Sequence, residues 1–342
     1  MRKLILLQLL LIAVAGCKPD EPLPEPKKPV AGKSVFVLNE GTFQHGNASL
    51  SLINTDSGSV VEDIFRQINN RPLGDILQSI AIVNNEGWLV VNNSQKIERV
   101  NLETMQAGAP LTGLHSPRFV LQVNDQKVFV TDIYSNTIHV LNAANGQLMS
   151  DISCPGWTEQ LIKVNNEVWV CNVRTNKVYV IDSGTNVIID SVAVGDAPKD
   201  IRKDIQGRLW VLCEGKIPPG ETAGSIYVIN PSDRSVVRSM TAGTTTQHLS
   251  RLQINSDGDR LYFLNNGVMQ MSINDVAFPN SAFIPAGGRL YYGLGIHPTD
   301  ESIWVSDAMD YVQKGRVYRY SSGGQEVGFF NVGVSPGGFY FY

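Results

Sequence analysis

The chain has 342 residues, 43% of them hydrophobic and 18% charged, which is ample for a folded core and too apolar for a disordered chain. Lys and Arg number 28 against 32 Asp and Glu, a formal net charge of -4. A weakly acidic chain without a basic run carries no electrostatic footprint for nucleic acid.

The N-terminus is a targeting segment, separate from the fold. Arg2 and Lys3 precede an apolar run over 4–15, and Val14-Ala15-Gly16 leads into Cys17. A basic start, a short apolar stretch and small residues before the break predict a secretory leader over 1–16. The run is too short to span a bilayer comfortably. Small residues directly before a cysteine resemble a bacterial lipobox. That resemblance implies cleavage before Cys17, lipidation of its sulfur, and membrane attachment through the lipid alone. Residues 17–33 carry Pro19, Pro22, Pro24, Pro26 and Pro29 among charges. Such a segment cannot pack and tends to polyproline II, so it is expected to be a tether. Lys18-Pro19-Asp20-Glu21 looks like the acidic signals that send some Gram-negative lipoproteins to the cell surface. The expected location is therefore the outer membrane, facing outward.

The rest of the chain, 34–342, is a repeat array. VNDQKVFVTDIYSNTIHVLNAANGQL, from Val123, lies over VNNEVWVCNVRTNKVYVIDSGTNVI, from Val164, almost without gaps. Phe129 and Trp169 hold equivalent places about 40 residues apart, the period of a propeller blade. One such sheet cannot bury both its faces, so the repeat implies a ring of like neighbours. The same landmark strand begins at Val35, Trp88, Val128, Val168, Leu209, Leu261 and Ile303. This predicts an all-β chain folded as a seven-bladed β-propeller.

Most landmarks are followed by a second strand, from Ile97, Ile138, Val178, Ile226 or Val317. These end in turns such as Asn145-Gly146 and Ser183-Gly184, residue types that supply positive φ. An apolar strand precedes each landmark after the first, from Leu77, Arg118, Glu159, Asp200, Ser250 and Tyr292, and would line a central channel. Val35 has no such strand before it. The final SPGGFYFY, from Ser335, is expected to supply it, closing the first blade and removing an exposed sheet edge.

Beyond Cys17, the cysteines are Cys154, Cys171 and Cys213. An odd count, with Cys171 and Cys213 closing equivalent strands, argues for small buried side chains over a disulfide framework.

Three longer loops, 39–47, 214–224 and 307–315, follow landmark strands and so share one end of the ring. Loops inserted on one face of a repeat protein usually form its binding surface. The candidate ligand-binding residues lie there. Loops after landmark strands offer Asn39, Glu40, Phe43, Asn92, Tyr134, Arg174, Asp310 and Tyr311. Loops entering innermost strands offer Arg118, Trp157, Asp200, Tyr291 and Tyr292. Aromatic, amide and arginine side chains together suit a large, flat, polar ligand. The competing use of the same residues is in turns and in packing between blades.

The sequence has no Gly-x-Ser-x-Gly elbow, His-Glu-x-x-His or P-loop. No catalytic residue, cofactor or metal site is assigned, and the chain is not expected to be an enzyme. His139 alternates with apolar residues and is expected to face outward from its blade. His45, His115 and His248 could share the loop face, and a metal-dependent lyase or lactonase would need them. Asp307 and Asp310 lack the ligand count of a calcium loop.

VWVCNVRTNKVYVID, from Val168, resembles the YVTN, or YncE-like, propeller family. FVLNEGTFQHGNASLSLIN from Phe36, GDILQSIAIVNNEGWLVVNNS from Gly74, Ser116-Pro117-Arg118-Phe119 and the stretch from Tyr291 to Phe341 resemble the DUF5074-type surface lipoproteins of Gram-negative bacteria. This resemblance spans nearly the whole chain after the tether. The best-understood members capture cobalamin, vitamin B12. It therefore implies capture of a corrinoid and its delivery to a TonB-dependent outer-membrane transporter. A glycan or haem in an equivalent uptake system remains open as the ligand.

Overall fold

The structure is a computed structural model that describes residues 28–342. The leader, Cys17 and most of the expected tether lie outside the described residues. The last tether residues dock on the ring. The Gly32 N–H donates to the Tyr342 carbonyl at 2.6 Å, and the Val30 N–H to the Ser34 hydroxyl at 2.8 Å.

Seven sheets follow one another around a ring, six of four strands and one of three. The landmark segments are the second strands of the blades: Ser34–Asn39, Glu86–Val91, Lys127–Asp132, Glu167–Asn172, Leu209–Cys213, Arg260–Leu264 and Ile303–Asp307. They are almost wholly buried, because each blade is sandwiched between two others. Alternate side chains therefore feed two different interfaces. Trp169 and Cys171 pack with Leu209 and Val211 of the following blade. Val168 and Val170 pack with Phe129 of the preceding one. Each fully buried large side chain of this kind contributes about 2–3 kcal/mol relative to exposure.

The first blade closes as the sequence predicts. Pro336–Phe341 lies inside Ser34–Asn39, pairing Val35 with Phe341, Phe36 with Tyr340 and Val37 with Phe339. The last described strand thus hydrogen-bonds the first described one, and that edge is covered.

Several details depart from expectation. The second blade has three strands, and only the isolated bridges Ile97 to Leu111 and Val100 to Ala107 trim its outer edge. The outer strand of the sixth blade is Ile284–Pro285, cut short where proline cannot donate to a ladder. A helix, Ile64–Asn69, had no sequence forecast. Asp63 caps it by accepting the Arg66 N–H at 3.2 Å, and Ile64 and Phe65 are buried between the first two blades. In the fourth blade the left-handed turn residue is Asn186, at φ 61°, and not Gly184.

His139 does not face outward. It is buried, with Nδ1 2.7 Å from Asp151 and Nε2 3.6 Å from Asp132. A histidine between two carboxylates can enter the interior because its charge is shared. Cys154, Cys171 and Cys213 are free and buried. Cys213 pairs with Pro198 and Asn172 with Thr158, so Cys171 sits one register short of Cys213. Both still join one apolar cluster. Burial pushes the Cys154 thiol up to about 11 and the Cys213 thiol up to about 12.

Candidate functional site

Every innermost strand begins with one paired residue and then bulges. Pro117 pairs with Asp132, for example, and pairing resumes only at Val120 with Val130. A bulge leaves one residue outside the ladder and re-aims its side chain. The residue after the first pair is Gln78, Arg118, Glu159, Lys199, Arg251, Tyr292 or Gly337, one from each blade. All except Gly337 line a bowl of about 630 Å³ at the loop end of the ring.

The ring is a set of closed charge pairs. Arg118 donates to Glu159 through Nε at 3.0 Å and Nη2 at 2.9 Å, and to Gln78 Oε1 through Nη1. The Trp157 indole N–H donates to Glu159 at 2.6 Å. Lys199 lies 2.6 Å from Glu214 and 5.6 Å from the centre of the Trp157 ring. Arg251 donates to Glu40 at 3.1 Å and to the Tyr292 carbonyl at 3.0 Å, while the Tyr292 hydroxyl donates to Glu40 at 2.5 Å. Burial alone would lower the Arg251 guanidinium, but Glu40, Tyr292 and Asp200 outweigh it and hold it above the ordinary arginine value. Burial, with Glu40 beside it, raises the Tyr292 phenol well above its ordinary value. Burial also raises the Asp200 carboxyl, against the pull of Arg202 and Arg251.

The rim is aromatic. Phe43, Tyr134 and Tyr311 are 60%, 68% and 44% exposed. They are held from beneath. The Thr42 hydroxyl donates to the Tyr311 carbonyl at 3.1 Å, joining the first and seventh blades. The Gln44 N–H donates to Asp75 at 2.8 Å, joining the first and second. The Tyr134 N–H donates to Asp132 at 2.9 Å. Tyr311 has φ 63°, a left-handed conformation that a bulky residue adopts only when its surroundings impose it. The Tyr292 and Tyr311 rings meet edge-on, centroids 5.4 Å apart.

The structure gathers Glu40, Phe43, Asn92, Arg118, Tyr134, Trp157, Asp200, Tyr291, Tyr292 and Tyr311 around the bowl. It places Asn39, Arg174 and Asp310 elsewhere. Asn39 is wholly buried, and its amide donates to Ser49 at 3.1 Å and Ser51 at 2.9 Å. Arg174 is exposed and does not line the bowl. Asp310 caps its own loop, accepting the Val312 and Gln313 N–H groups. Those two bonds hold its carboxyl below the ordinary value. Arg251 and Gln78 were missed. Aligning Leu249-Ser250-Arg251-Leu252 on Ser116-Pro117-Arg118-Phe119 supplies the missing signal, since both arginines follow the first paired residue.

Among the described residues, no three His, Cys, Asp or Glu side chains converge as metal ligands. His45 Nδ1 lies 2.9 Å from the Phe43 carbonyl, and His248 meets Glu221 at 3.2 Å. With like numbers of paired cations and anions and an aromatic rim, the bowl suits a broad ligand that brings amide or hydroxyl groups and little net charge.

Solved structures share the fold. A quinonprotein alcohol dehydrogenase-like protein from Bacteroides thetaiotaomicron is similar with a TM-score of 0.71 at 13% identity, over 91% of this chain and 78% of that one. Virginiamycin B lyase from Staphylococcus aureus is similar with a TM-score of 0.61 at 17% identity, over 81% of this chain and 89% of that one. AztD from Citrobacter koseri is similar with a TM-score of 0.57 at 9% identity, over 91% of this chain and 98% of that one. At such identities the likeness is one of fold alone. No curated protein matches the sequence. A family model matches residues 33–341, nearly all of the ring, and the chain therefore belongs to the family described as domain of unknown function DUF5074.

Proposed function

We propose that this propeller captures a corrinoid, cobalamin in the first instance, at the cell surface and passes it without turnover to a TonB-dependent outer-membrane transporter. The observation that carries the reading is the bowl: an aromatic rim over a floor whose charges are already paired. A corrinoid is broad, amide-rimmed and nearly uncharged overall. It would gain apolar contact from Phe43, Tyr134 and Tyr311 and amide contact from Asn92, without having to neutralise a free charge. The ligand is larger than the bowl, so it would be held by one face and present the other to the transporter. A ring whose rim loops are already hydrogen-bonded loses little freedom on binding. A lipid on Cys17 and a proline-rich tether would raise the effective concentration of the loaded carrier beside its membrane partner.

Calorimetric titration of cyanocobalamin into protein beginning at Gly32 tests the reading. Saturable one-to-one binding supports it. No heat from a folded protein, with saturable binding of haem or of an oligosaccharide instead, would assign the bowl to another ligand.

A further inference from the structure

We propose that the far end of the central channel is a second binding site, for a small organic carboxylate with an apolar body. The channel continues beneath the bowl into a cavity of about 430 Å³. The two share Gln78, Phe119, Asp200 and Arg251 at their junction.

One wall of this cavity offers hydrogen-bond donors in excess. Arg202 donates through Nη1 to Gln160 Oε1 and to the Ile201 carbonyl, the latter at 2.9 Å, and through Nη2 to Gln253 Oε1 at 3.4 Å. A guanidinium accepts nothing, so it fixes both amides with their oxygens toward it. Gln160 Oε1 takes the Ile201 N–H as well, at 3.3 Å. The amide nitrogens of Gln160 and Gln253 then face away from Arg202. Among the described residues neither they nor Arg202 Nε have a partner, none is buried from solvent, and all three residues line the cavity. Three consecutive blades thus turn free N–H groups on one space.

The charge is arranged differently from the mouth above. There every cation meets a carboxylate in an ion pair. Arg202 meets only amide and backbone oxygens. The one acid lining the cavity is Asp200, and its Oδ2 already takes the Leu252 N–H at 3.1 Å. Arg251 is already closed on Glu40, so the cation that still offers unpaired N–H groups to the cavity is Arg202, and beside the free amide N–H groups it favours a ligand that brings anionic acceptors.

The facing wall is apolar, with Ile80, Leu294, Ile296, Phe339 and Phe341 beside the bare backbone of Gly338. An inorganic oxyanion would leave that wall wet. A carboxylate attached to a hydrocarbon or aromatic body uses both walls at once.

The test is titration of the full chain with benzoate, benzamide and inorganic phosphate, read by ligand-observed NMR. Benzoate should bind saturably, with benzamide and phosphate weaker by about tenfold or more. Arg202→Gln should weaken benzoate by about tenfold, whereas Tyr134→Ala at the mouth should leave it unchanged. Should Arg202→Gln fail to fold, Gln253→Leu removes one donor and should cost about fivefold. Benzamide or phosphate equal to benzoate, benzoate binding untouched by either channel variant, or no saturable binding at all would each overturn the site and leave a water-filled channel.

Discussion

Glu40 occupies the space that a side chain at Gly337 would fill. A methyl group built on Gly337 would overlap the Glu40 carboxylate, which from that place bonds Arg251 and Tyr292. The first blade's place in this ring of residues is thus filled from a loop, and glycine is the residue that permits it. Gly337→Ala should displace Glu40, lower stability by about 1–3 kcal/mol through overpacking and weaken cyanocobalamin by about tenfold. Thermal unfolding and calorimetry on the same sample check both, and unaltered affinity in the folded variant would separate Glu40 from the binding surface.

The rim aromatics should act as anchors. Tyr134→Ala combined with Tyr311→Ala should weaken corrinoid binding by about tenfold or more, since buried aromatic anchors commonly carry over a kcal/mol each. Their heavy exposure in the free protein means the fold itself should be little disturbed, so circular dichroism should match that of the parent. Full retention of affinity would refute the assignment of the rim.

His139 gives the ring a pH dependence. Burial lowers its pKa, but Asp132 and Asp151 raise it further, for a net rise above the ordinary 6.5. A base with a raised native pKa contributes stability that is complete below its unfolded value and is lost as pH climbs through the folded one. Asp132 shifts the other way. Its burial is outweighed by His139 and by the N–H groups of Ser116, Tyr134 and Ser135, so its contribution is lost only in acid. The stability gap between parent and His139→Gln should therefore be widest below the unfolded value of 6.5 and shrink as the pH rises above it through the raised folded value. Chemical denaturation at several pH values measures it, and a gap that widens with pH would contradict the assignment.

The cysteines should be silent in the native state. Burial holds all three thiols protonated at neutral pH, and the thiolate is the reactive form. Protein beginning at Gly32 should give no reaction with a thiol reagent at about pH 8 until denaturant is added, and then three equivalents per chain. Rapid labelling of even one thiol without denaturant would show that a blade opens locally.

Removing residues 335–342 should abolish cooperative unfolding. That segment is the innermost strand of the first blade, and its loss strips Ser34–Asn39 of its inner partner and uncovers Phe36. A truncated chain that melted as sharply as the parent would show that closure contributes little.

The ring was legible because its signal is repeated. Seven landmark strands, and a first one lacking the strand that SPGGFYFY could supply, pointed to about seven blades and to closure by the C-terminal strand. The site was legible only in part, because a loop residue's type does not say which way it faces. Asn39 and Asn92 occupy matching loops, yet one donates inward to Ser49 and the other to Ser116 beside the bowl. Asp310 reads as a ligand and works as a cap. Arg251 was hidden because the bulge that turns it into the mouth is a backbone event, marked by φ 61° at a residue with no glycine or asparagine to announce it. Gly337 was hidden for the opposite reason: the chemistry of its position arrives from Glu40, almost 300 residues away in sequence.

The docking of Gly32 on Tyr342 has a consequence for how the molecule is held. Ser34–Asn39 runs toward the rim, about 20 Å for its six residues, so Gly32 and Tyr342 meet at the base of the cup. Anything fastened upstream of Gly32, or fused after Tyr342, grips the molecule by its foot. The opening then lies at the opposite end of the ring from the point of attachment.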